Sequence, residues 1–83
     1  MTDAELIERL ADAEHASWSR WMAYLFTRCA FNADGSVTIS ERDYVHWQTQ
    51  VITPYADLSE REKESDRKEV RHILPILREW KRD

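Results

Sequence analysis

Five sets of residues in this chain have types and spacings that could support chemistry. Asn32, Asp34, Gly35, Val37 and Glu41 stand where an EF-hand calcium loop places its third, fifth, sixth, eighth and twelfth residues. Ala30 holds the first position, which removes a direct carboxylate ligand, and no second loop follows to pair with it. A plain Asx/Gly turn is the expected outcome, because Asn, Asp and Gly all tolerate the left-handed region. His15, His46, His72 and Cys29 lie on separate segments without zinc-ligand spacing, so no metal site is expected. Arg28 beside Cys29 favours a thiolate and the adjoining helix C-terminus opposes it, which leaves a small buried hydrophobe as the default reading. With one glycine in the chain there is no phosphate-cradling loop. The acids Glu60, Glu62, Glu64, Asp66 and Glu69 read as a solvated helix face. No catalytic residue and no cofactor are expected.

The fifth set is aromatic and cationic. Trp18, Trp21, Trp47 and Trp80 are first of all packing residues, each with a large area to bury and one N–H to satisfy. One or two of them could instead form a flat wall for a planar base, an interaction of about 1–3 kcal/mol per base that requires no basic surface overall. Lys63, Arg67 and Arg71, at four-residue steps, put three cations along one helical edge, suited to a phosphate or carboxylate. Intrahelical pairing to Glu60, Glu64 and Asp66 is the competing use of those cations.

Three helices must position these residues. Leu6, Leu10, Ala13, Ser17, Trp21 and Leu25 recur at three- and four-residue steps and predict a first helix over about 3–29, whose second half, rich in aromatics, is the core half. The Asn32–Ser36 turn ends it. Val37-Thr38-Ile39 is β-branched and predicts a short extended segment, 37–39, with no obvious partner strand. Ser40 with Asp43 caps a second helix, about 40–50, with Tyr44, Trp47 and Val51 on its inner face. Thr53 and Pro54 open a short turn, and Ser59 with Glu62 forms a capping box for a third helix over about 59–81. That helix is charged up to Glu69 and carries Val70, Ile73, Leu74, Leu77 and Trp80 as an apolar stripe thereafter. Pro75 inside the stripe predicts a kink or break near Ile73.

Composition bounds the function classes. Eighty-three residues with 42% hydrophobic side chains make one small all-α domain, 1–83. A formal charge of −4 argues against a general nucleic-acid binder. No apolar run approaches the roughly 20 residues that cross a bilayer. The lone Cys29 and the absence of a signal-peptide pattern lead to the expectation of a cytoplasmic protein.

Two patches resemble a known family. Glu14-His15-x-x-Trp18 with Arg20, and the more specific Pro54-Tyr55-x-x-Leu58-x-Glu60-x-Glu62-Lys63-x-x-Asp66-Arg67, are similar to the opening and closing parts of the ryanodine-receptor repeat (RyR) domain. The order of Glu and His in the first patch is swapped relative to the family. The family's central Gly-Trp-x-Tyr-Gly element is replaced by Phe31 to Trp47. The resemblance implies a mostly helical fold that lodges adenine-type ligands beside aromatic side chains, and the short chain looks most like the phage versions. It nominates Trp18 and Tyr55 as a wall with Lys63 and Arg67 as its polar edge, whereas Asp57 and Asp66 would fix loop and helix; periodicity alone adds Trp47. The resemblance leads to the expectation of a non-catalytic binding module for a nucleotide-derived ligand, a phage protein that sequesters a host signalling nucleotide in the host cytoplasm. Its small size favours a site built across a homodimer. The alternative is an acidic helical inhibitor whose face from Ser59 to Glu69 engages a basic protein or mimics nucleic acid.

Overall fold

Thr2 and Glu5 start the first helix with a reciprocal cap. The Thr2 hydroxyl accepts the Glu5 N–H at 3.1 Å, and the Glu5 carboxylate accepts the Thr2 N–H at 3.4 Å. The structure, a computed structural model, describes residues 1–82. Helix α1 spans Asp3–Arg28, with Asp3 and Glu5 in its first turn and Arg28 in its last, each suiting the helix dipole.

The chain then enters a small hairpin. β1, Ala30–Phe31, pairs antiparallel with β2, Val37–Thr38, in the register Ala30 to Thr38 and Phe31 to Val37. The extended segment therefore does have a partner strand, which the aromatic run at the end of α1 conceals in the sequence. Gly35, at φ +88°, turns the loop in a region that a side chain at that position would strain. The Asp34 carboxylate accepts both the backbone N–H and the hydroxyl of Ser36, at 2.9 and 2.5 Å. The Asn32 amide donates to the Ser36 and Thr38 hydroxyls. The loop is thus held by its own side chains, and among the described residues no three His, Cys, Asp or Glu side chains gather as a metal group.

Helix α2, Glu41–Ile52, starts at Ser40, whose hydroxyl accepts the Asp43 N–H at 3.1 Å. Thr53 closes α2 instead of capping the next turn: its hydroxyl donates back to the Thr49 carbonyl. Pro54 precedes a 3₁₀ turn, Tyr55–Asp57, with no side-chain cap. Helix α3 spans Glu60–Arg82. Ser59 accepts the Glu62 N–H at 3.2 Å, but the return bond runs from the Ser59 hydroxyl to the Glu62 carboxylate, not from the Ser59 N–H. Of the kink or break expected near Ile73, the break does not occur: α3 continues through Pro75 as one helix.

The three helices make one layer. α1 and α3 lie antiparallel, tied by Arg9 to Glu79 near one end and Arg20 to Glu69 nearer the other. Between those pairs Leu10 and Ala13 of α1 and Ile73, Leu74 and Leu77 of α3 are half-buried, and Leu6 is half-buried one turn before Arg9. α2 is joined to the end of α1 by Arg28 with Asp43 and by Trp21 against Trp47, whose ring centroids are 5.3 Å apart. The molecule measures 52 × 34 × 16 Å. Domains bury side chains between two packed layers, and this chain supplies one. Asp43, 7% exposed, is the only buried residue among those described. The aromatic half of α1 is therefore not the interior that its pattern suggests: Trp18 is 56% exposed, and Trp21, Tyr24 and Phe26 are exposed with it.

Two outcomes follow from these contacts. Replacing Pro75 with Ala restores a backbone donor inside α3 and should raise stability by about 1–3 kcal/mol, read from chemical denaturation. Arg28 holds the Asp43 carboxyl below its ordinary value, with Ser40 adding to the effect. A depressed folded-state value means that this stability is present above the unfolded-state value near pH 4 and is lost as pH falls through the folded one. Asp43→Asn should accordingly lower Tm at pH 7 and flatten the fall in Tm below about pH 4 in an acid melting series.

Candidate functional site

The 3₁₀ turn exists to present Tyr55. The Asp57 N–H donates to the Pro54 carbonyl at 2.9 Å and the Leu58 N–H to the Tyr55 carbonyl at 3.1 Å, which folds the turn tightly against the start of α3. Leu58 is half-buried and anchors it. The phenol ring then meets the first turns of α3: the Lys63 ammonium lies 5.8 Å from the ring centroid, within cation–π reach, and Arg67 lies beside the phenol. Helical spacing carries the same edge on to Val70 and Arg71. Tyr55, Asp66, Arg67, Val70 and Arg71 line an open groove of about 530 Å³. This is a size in the range of small-molecule sites, with an aromatic face, an aliphatic patch and two guanidinium groups.

The cations of the groove are already engaged. The Arg67 guanidinium contacts Glu60 at 3.2 Å and Glu64 at 3.6 Å, Arg71 donates to Glu64 at 2.6 Å, and Lys63 lies 3.6 Å from Glu60. Arg71, and Arg67 behind it, hold the Glu64 carboxyl below its ordinary value. A guanidinium carries five N–H donors, so these pairs leave donors for an anion while orienting the planar groups. Asp66 is an acid on the groove wall and opposes an anion placed next to it.

The five nominated residues fall in three places. Tyr55 and Arg67 line the groove, and Lys63 does not line it but lies over the Tyr55 ring. Trp18 stacks on His15 one turn before it, with centroids 5.8 Å apart and planes at 27°. Trp47 packs on Trp21. Neither tryptophan lines the groove. Arg20, part of the first family-like patch, makes a two-bond contact with Glu69, at 3.2 and 2.5 Å, and so ties α1 to α3. Arg20, with Ser17, also holds the Glu69 carboxyl low. Val70 and Asp66 are groove residues that the sequence reading left out or assigned a purely structural part; their three- and four-residue steps from Lys63 and Asp66 were the available signal. Cys29 is half-buried, with its thiol directed at the Leu25 carbonyl.

No protein-family model, curated protein or solved structure matches this chain. The groove is accordingly read from its own chemistry. Ion pairs between exposed side chains contribute little to folding. Arg67→Ala and Arg71→Ala should therefore leave Tm within about 3 °C of the parent chain in thermal melts followed by circular dichroism.

Proposed function

We propose that this protein is a non-catalytic binding module for a small planar anion of the nucleotide type, held at the Tyr55 groove. The observation that carries this reading is the placement of an aromatic ring within 5.8 Å of an ammonium group and along one groove with Arg67 and Arg71. A base can stack on the ring while a phosphate takes the guanidinium donors, a division of labour that fits a ligand with one flat apolar end and one charged end. The RyR-domain resemblance supports it from the sequence side, since Tyr55, Lys63 and Arg67 are the residues that the closing patch contributes. On that resemblance the module is a phage protein that sequesters a host signalling nucleotide. The acidic-inhibitor alternative is weakened by the ion pairs: Glu60, Glu64 and Glu69 spend their charge on Arg67, Arg71 and Arg20, which leaves less of it for a basic partner.

Thermal melting against a panel of adenine nucleotides and cyclic signalling nucleotides tests the proposal, because a ligand bound by the native state raises Tm by mass action. One panel member should give a saturable rise. Tyr55→Ala and Arg67→Ala should each weaken that ligand at least about tenfold, in line with losing one stack or one charged contact of some 1.4 kcal/mol or more. Glu64→Gln removes a competitor for Arg67 and Arg71 and should strengthen binding. A flat panel overturns the proposal, and loss of a protein-binding activity in Glu60→Gln and Glu64→Gln would establish the acidic inhibitor in its place.

A further inference from the structure

Among the described residues, the apolar side chains of this protein are at most half-buried within one copy. Of the described residues only Asp43 is buried, and that residue is charged, while fifteen large hydrophobic side chains are exposed. The accessible surface is 6915 Å² for a 9.9 kDa chain. A compact monomer of that mass exposes about 5,200 Å², so this chain shows about 1,700 Å² too much. Its radius of gyration, 16.7 Å, likewise exceeds the roughly 12 Å of a compact 83-residue domain. Monomers rarely carry a contiguous apolar patch beyond a few hundred Å².

From these quantities we infer that the folded protein is an obligate homodimer in which α2 and the second half of α1 pack against the same elements of a second copy. The face can be followed residue by residue. Trp21 of α1 touches Trp47 of α2, and from Trp47 apolar positions continue at three- and four-residue steps to Tyr44 and Val51, with Ile52 beside them. Val51 is 79% and Ile52 72% exposed, on a helix that contacts the remainder of its own chain chiefly through Trp47 and Asp43. A single layer of helices placed face to face on its copy becomes the two-layer arrangement that stable domains require.

The occupant is a second copy because of what is missing. A partner that covers a finished protein meets a patch on a molecule with its own core, whereas here the uncovered residues are the core, so folding and association must be one event. Two copies that each lose the excess of about 1,700 Å² bury about 3,400 Å² together, inside the range of obligate homodimers and above that of transient complexes. Twofold symmetry also needs only one patch that complements itself, which one continuous helical face can provide. This inference stands on area and packing and does not depend on what the Tyr55 groove binds.

Sedimentation equilibrium of the full chain between 1 and 100 µM, with melts across the same range, tests it. The expected result is a particle of twice the chain mass and a Tm that climbs with concentration, because association stabilises only the folded state. A folded species at the mass of one chain with a concentration-independent Tm would overturn the dimer. A chain that stays unfolded and monomeric at 100 µM would overturn the second copy as the occupant. Val51→Lys and Ile52→Lys locate the face: both sites are open in the single copy, where lysine is tolerated, so each substitution should weaken association at least tenfold. A variant that unfolds at 1 µM and refolds at 100 µM gives the same answer through linkage. Unchanged association in both variants would refute the assignment to α2.

Discussion

The paired hydrogen bonds between Arg28 and Asp43 are the joint on which the arrangement of the helices depends. Arg28 closes α1 and Asp43 sits in the first turn of α2, so one guanidinium and one carboxylate, at 3.0 and 2.9 Å, set the angle at which the chain leaves its hairpin. The fork geometry makes the contact directional, which a lysine in place of Arg28 could not reproduce. Asp43 also donates its backbone N–H to Ser40, so the same residue starts the helix and fastens it. The position of α2, and so the point from which the 3₁₀ turn leaves it, follows from this joint and from the Trp21–Trp47 contact beside it.

The second fastening, between α1 and α3, is built differently. Two exposed ion pairs stand at either end of a half-buried strip of leucine, isoleucine and alanine. Such pairs fix the antiparallel register more than they stabilise it, since exposed charges lose as much from solvent as they gain from each other. The strip is too narrow to outweigh the conformational entropy of ordering more than eighty residues. Polar contacts give this chain its geometry, and its driving force has to come from apolar surface that α1 and α2 still present to the outside.

How far the fold could be read from the sequence follows from which forces act locally. Helix positions, the Ser40 and Ser59 caps and the Asp34–Gly35 turn were legible because each is decided within four residues by capping and backbone preference. The Thr2–Glu5 box carried the same signal. The pairing of Ala30–Phe31 with Val37–Thr38 was not legible, because a two-residue strand has no periodicity and Phe31 continues the aromatic run of α1. The burial of the tryptophans was misjudged for a related reason: helical spacing identifies an apolar face but not the molecule that covers it. At the groove, Lys63 and Arg67 were visible from their spacing and Tyr55 from the family-like patch, whereas Trp18 and Trp47 point to other neighbours.

Pro75 leaves the third helix with a seam. The proline lacks an N–H, so the Arg71 carbonyl has no backbone donor four residues on, and the ladder of amide bonds loses one rung just past the last groove residue. A missing rung is a point at which the end of a helix can open without opening the rest, because stability is not uniform along a structure. Lys63, Arg67 and Arg71 precede the missing rung together with Ile73 and Leu74 of the strip, and Leu77 follows it. Fraying that begins at the carboxyl-terminal end thus meets its first stopping point at Pro75, well short of the turn that holds Tyr55.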